Sequence, residues 1–233
     1  MNSNKSTNMD TDGASFFPVQ EHVRIIQSTS VANHYRVFLD NGIEEPAKYR
    51  DLIQILISAT ESDLVELVVS CDGGSLDTTI DITNALRVTE ATTRAVITSK
   101  AHSGGSFIAL ACDEVIALPH VAMMIHQPRG GTMGRHCEQM VEQRFVDEWI
   151  KGFYLDIYKD FLTVAEITSV LEGKDIWLNS DQINERAAKR DSIRAKEEQK
   201  MLREFKKMQK EVLPKVEKPK KVSKVKKEVD TEE

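Results

Sequence analysis

The stretch "VAMMIHQPRGGTMG", Val121 to Gly134, decides how this chain is read. Its apolar run suits a short inner strand, and Pro128 with the glycines behind it ends the pairing. His126 sits where strand gives way to loop. A histidine there is either a satisfied core residue or a base presented at a strand end. The choice depends on whether a nucleophile and an orienting acid occur elsewhere in the chain.

Upstream lies "KAHSGGSFIALACD", Lys100 to Asp113. Gly104 and Gly105 permit a tight passage from strand to helix. Ser106 then falls at the start of a predicted helix, beside N–H groups that lack helical partners. That placement suits a nucleophilic serine with an oxyanion site, and it equally suits an ordinary N-cap. Ser103 is a nearby alternative. The segment is not G-x-S-x-G, so the hydrolase elbow motif is absent. Further upstream, "SCDGGSL" places Gly73 and Gly74 just after an apolar strand. Their N–H groups suit a carbonyl oxygen or an incoming extended peptide, and a plain tight turn is the competing reading. The spacing is not G-x-G-x-x-G, so a dinucleotide site gains little support. Downstream, Asp175 follows Gly173 and precedes "IWL". It could accept the second imidazole N–H and hold the base tautomer, or simply occupy a surface turn.

Between these points the elements alternate. "HYRVFLD" reads as a strand. "EPAKYRDLIQILISATES" reads as a helix with Leu52, Ile53, Leu56 and Ile57 on one stripe. "LVELVVS" reads as an inner strand covered on both faces. A helix with Ile80, Ala85 and Leu86 inward follows, then the strand "RAVITSK", a small-residue helix, and the short strands "EVIAL" and "VAMMIH". This rhythm predicts an α/β fold with right-handed crossovers. A long helix over about 136–161 carries Met140, Phe145, Trp149, Tyr154 and Tyr158, either for the core or for a subunit contact. "DIWL" is a last short strand. A charged helix runs from Ile183 to about Leu213.

The 233 residues are 40% hydrophobic, enough for one substantial core with appended segments or two small domains. The formal net charge of -6 argues against a general nucleic-acid binder. No apolar run approaches the roughly 18 residues of a membrane span, and "MNSNKSTNMDTDG" has no apolar signal core. Cys71, Cys112 and Cys137 fit reduced thiols in a cytoplasmic protein. No C-x-x-C or H-E-x-x-H pattern points to a metal.

Taken in order, these segments resemble the proteolytic subunit of the caseinolytic Clp proteases (ClpP), and more broadly the Clp/crotonase fold. "MMIHQPRGG" is the most specific match. "VSCDGG" resembles the family's strand and Pro-Gly-Gly turn, with Asp72 where the proline usually stands. "SGGSF" resembles the segment carrying the nucleophile, and "GKDIWLNSDQ" the segment carrying the third triad residue. The resemblance spans about 34–187. It implies repeated β-β-α units, a projecting handle helix at about 136–161 and a long C-terminal helix. It implies a serine endopeptidase with nucleophile Ser106, base His126 and orienting acid Asp175. Backbone N–H groups of Gly74 and Phe107 would form the oxyanion hole. Gly73, Gly130, Gly131 and Thr132 would flank an extended substrate. No metal or organic cofactor is required.

The family further implies homo-oligomeric heptameric rings, singly or stacked, that take protein or peptide substrates from an ATP-driven unfoldase. The short interval from Ser106 to His126 and the long C-terminal addition also resemble ClpP-like proteins of bacteriophages, some of which process capsid or scaffold proteins. The expected organisation is a flexible segment 1–20, a protease domain 21–187, a helical extension 188–213 and a Lys/Glu-rich tail 214–233. A non-catalytic ring member and acyl-CoA chemistry on the crotonase fold are the rival readings. An intact set of triad residues speaks against the first, and "MIHQP" in triad order against the second.

Overall fold

A computed structural model describes residues 32–130 and 134–212. The chain divides into two compact units, 1–191 and 192–233. In the first unit six strands form one sheet in the order β1-β2-β3-β5-β6, with β4 beside β3. The strands are β1 (His34–Leu39), β2 (Leu64–Cys71), β3 (Thr92–His102), β4 (Glu114–Ala117), β5 (Ala122–Ile125) and β6 (Ile176–Asn179). All pair in parallel except β5 with β6. The helices are α1 (Arg50–Ser58), α2 (Leu76–Val88), α3 (Gly104–Ala111), α4 (His136–Tyr158), α5 (Val164–Leu171) and α6 (Ser180–Val212). This alternating pattern of strand and helix is consistent with a Clp/crotonase-type fold.

Helices cover one face of the sheet. Val65, Leu67, Val69 and Cys71 of β2 and Ala95, Ile97 and Ala101 of β3 point into that core and are fully buried. The other face is more open: Leu64, Val68 and Ser70 are only half-buried. Among the described residues of the first unit β2 is therefore covered by helices on one face, not both. Two rows cross that open face in register. Arg36, Glu66, Arg94 and Glu114 stand side by side on four strands, and Phe38, Val68, Val96 and Ile116 form the next row. The first row is an ion-pair ladder, with Arg36 Nε 2.6 Å from Glu66 and Arg94 Nε 2.6 Å from Glu114.

In α1 only Leu52 and Leu56, four residues apart, are buried, and Ile57, about 100° further round the helix, faces outward. In α2 Ala85 and Leu86 are buried as expected, but Ile82 rather than Ile80 reaches the core. Asn184 of α6 pairs both ways with the Ala117 backbone, completing the end of β4 as a neighbouring strand would. Arg190 is fully buried and donates to the Leu110 and Asp113 carbonyls at 3.0 and 2.7 Å, satisfying backbone acceptors at the exit of α3. No helix among the described residues is long and apolar enough to cross a membrane. In the second unit, residues 192–212 continue as helix and expose Met201, Leu202, Phe205 and Met208.

Candidate active site

The site is built by the way β3 is shared. Its first half pairs with β4, over Arg94–Ile97, and its last residues pair with β5, over Lys100–His102. In the second register His102 lies beside Met124, so both strands end together and release Ser103 and His126 at one edge. The Ser103 N–H still donates to the Met124 carbonyl at 2.8 Å, the last rung of that ladder. His126 Nε2 lies 2.8 Å from Ser103 Oγ.

Ser103 occupies a strand-to-helix turn with φ 52° and ψ -122°, a conformation that costs a side-chain-bearing residue about 1–3 kcal/mol. It stands at the N-cap of α3, yet its hydroxyl makes no cap hydrogen bond. The oxygen is turned toward the histidine instead, which forgoes roughly 1 kcal/mol of capping. Sharp turns of this kind need small neighbours, and here these are Ala101 and Gly105. A Cβ on Gly105 would stand 3.1 Å from Cys71 Cβ.

Ser106, the expected nucleophile, does not meet His126. One helical turn beyond Ser103, it points back into the core and is fully buried. Its Oγ donates to the Ser103 carbonyl at 2.7 Å and receives the Tyr158 hydroxyl at 2.7 Å. Phe107 is displaced for the same reason. It lies four residues past Ser103, a full helical turn on, while the Ser103 carbonyl is taken by the Ser106 N–H at 2.9 Å. Its ring stacks on Phe153 at 4.6 Å. The N–H next to Ser103 belongs to Gly104, the first residue of α3 and so without a helical acceptor.

Gly73 and Gly74 face this edge. Gly73 has φ 87°, and a Cβ there would lie 2.6 Å from Ser103 Cβ and 2.9 Å from the Gly104 nitrogen. Only glycine lets the two backbones approach so closely. The Cys71 thiol accepts the Gly73 N–H at 3.3 Å and steadies the turn. Across from it, Ile43 N–H donates to Gly73 and Ser75 N–H to Ile43, a bridge that leaves the Gly74 N–H out.

A cavity of about 640 Å³ opens here, lined by Gly73, Gly74, Ser103, Gly104, His126 and Arg129 among others. Gly130 is exposed at its end of the loop. Gly131 and Thr132 lie outside the described residues.

Asp175 is placed by the β5–β6 register. The pairs run from Ala122 with Asn179 to Ile125 with Ile176, so the next step sets His126 opposite Asp175. No hydrogen bond joins them among the described residues, but the carboxylate acts on the ring through space. Burial pushes His126 below its ordinary pKa, the Asp175 charge opposes this, and the Arg129 charge adds to it. The net lowering favours the neutral imidazole, the form that a general base needs.

The structure sets Ser103, and not the expected Ser106, against His126. The overlooked signal is small-x-Ser-x-small: "AHSGG" centred on Ser103 has it, whereas around Ser106 the residue two places on is Ile108.

A family model described as Clp protease matches residues 20–151 of this chain. The chain is 31% identical over 111 residues to an "ATP-dependent Clp protease proteolytic subunit" of Ostreococcus tauri. That similarity takes in 46% of this chain and 56% of the relative, so the chain spans little more than half the relative's length. Ser103 and His126 fall within the matched residues and Asp175 beyond them.

Proposed function

The chain belongs to the Clp protease family, and from that premise we propose that it is a serine endopeptidase whose nucleophile is Ser103. The observation that carries the reading is the 2.8 Å contact between Ser103 Oγ and His126 Nε2 on a strained strand-to-helix turn. His126 takes the hydroxyl proton as Ser103 attacks the peptide carbonyl. The N–H groups of Gly74 and Gly104 receive the negative oxygen. Asp175 favours the imidazolium that forms. The ring then protonates the leaving amine, and a water molecule, activated by the same ring, releases the acyl group. The cavity beside Gly73 and Arg129 takes an extended peptide.

The same premise supports a homo-oligomeric ring, an ATP-dependent unfoldase as partner and a cytoplasmic setting. The exposed Phe145 and Trp149 on α4, with ring centroids 6.4 Å apart, offer apolar surface for a subunit contact. The test is labelling by a fluorophosphonate probe with the modified residue mapped by mass spectrometry. Labelling at Ser103, lost in Ser103→Ala and His126→Ala, is expected. Labelling elsewhere, or none in the assembled protein, sinks the reading.

A further inference from the structure

Two tyrosines one turn apart on α4 end on the backbones of the two reacting residues. The Tyr154 hydroxyl donates to the His126 carbonyl. The Tyr158 hydroxyl reaches Ser106 Oγ, which reaches the Ser103 carbonyl. The direction of each bond follows from chemistry. A carbonyl only accepts, so Ser106 must give its proton to Ser103, and its oxygen is then the acceptor for Tyr158.

We infer that Tyr154, and Tyr158 acting through Ser106, are positioning residues that hold the carbonyls of His126 and Ser103 and so set the distance between base and nucleophile. The inference rests on the reading of Ser103 and His126 as the reacting pair.

Three observations support it. First, the carbonyls lie where regular pairing has run out. His126 lies one residue past β5 and Ser103 one past β3; the Ser103 N–H makes the last rung, and no strand bond holds either carbonyl among the described residues. Second, the phenols are not there for packing alone. Tyr154 and Tyr158 are essentially fully buried against Phe107, with ring centroids at 4.9 and 4.7 Å. Phenylalanine would fill that space without the cost of burying a hydroxyl. Burial also pushes both phenols well above the ordinary tyrosine range, so they stay protonated donors. Third, the strained backbone of Ser103 persists only if its surroundings over-determine it. The Ser106 side chain and the Ser106 N–H, at 2.7 and 2.9 Å, both hold the Ser103 carbonyl.

The experiment compares full-length Ser106→Ala, Tyr158→Phe, Tyr154→Phe and the double variant Ser106→Ala/Tyr158→Phe with the parent. Rates on a peptide ester are divided by the number of sites that the fluorophosphonate probe titrates. That division removes misfolded protein, so a merely structural role does not move the result. A fall in kcat per titrated site of about 10-fold is expected for Ser106→Ala and Tyr154→Phe, with KM unchanged. Tyr158→Phe is expected to lose less, because Ser106 keeps its own donor. The double variant is expected to match Ser106→Ala, since Tyr158 acts only through that hydroxyl. Unchanged kcat per site in all four, with Ser103 still labelled, overturns the inference and leaves the proposed function standing. A parent that is not labelled at Ser103 overturns both.

Discussion

Ser103 and Ser106 begin the same helix three residues apart, and they illustrate two uses of one side chain. Ser103 sits on a strained turn at the cavity wall, gives up its capping role and meets an imidazole. Ser106 sits in relaxed helix, is fully buried and spends its hydroxyl on the backbone of Ser103. Chemical identity is the same. Backbone conformation and the ends of two parallel strands make the difference. On the proposed reading, reactivity is a property of position: a hydroxyl with a base in front of it and N–H groups without a helical acceptor beside it.

That contrast is broken most sharply by removing each hydroxyl in turn. Ser103→Ala is expected to lower peptidase kcat by about 10⁴-fold or more, against roughly 10-fold for Ser106→Ala. Active-site-normalised kinetics on one substrate measure the ratio, and equal losses would erase the distinction. Next comes Gly73→Ala. Its Cβ would collide with Ser103 Cβ and the Gly104 nitrogen, in a conformation that alanine rarely adopts. A loss of about 10²-fold in the rate of probe labelling is expected, with circular dichroism unchanged. Parental labelling would show that the two backbones can part without harm.

The smallest effect is on pH. His126 must be neutral to act, and its pKa lies below the usual histidine value. Activity should therefore rise with pH through that lowered value and be flat by neutrality. Asp175→Asn removes a charge that raises the pKa, so the limb should move to lower pH, with an added loss in rate from a less well oriented imidazole. Arg129→Gln removes a charge that lowers it, so the limb should move up by less than about one unit. A pH–rate profile of each variant reads both signs, and a common direction would contradict the electrostatics.

Much of this was legible in the sequence. The α/β rhythm, His126 at a strand end, Asp175 before the last strand and the Gly73–Gly74 turn could all be read from local pattern. The choice between the serines could not be made from helix-start signals, which favour Ser106. The small residues two places either side of Ser103 are the local signal for it, and its meeting with His126 follows from β3 changing partner along its length, a long-range fact. The open second face of β2 was hidden likewise, because a continuous apolar run looks the same whether one side or both are covered. The partition of α4 into exposed Phe145 and Trp149 and buried Tyr154 and Tyr158 depends on where α3 and α5 pack against it.

The ladder of Arg36, Glu66, Arg94 and Glu114 has a consequence for fidelity of assembly. Glu66 is buried, but its partners Arg36 and Arg94 remain partly exposed, so these ion pairs add little stability, about 0–1 kcal/mol each. Their value here lies in discrimination. A one-residue slip between parallel strands turns every side chain over and is rejected by the core. A two-residue slip keeps the faces correct, so apolar burial alone hardly detects it. It would set Phe38 against Glu66 or Arg36 against Val68 in place of the pairs now formed. Alternating charge across four strands thus distinguishes the native register from its nearest neighbours, and that register brings β3 and β5 to an end at the same edge.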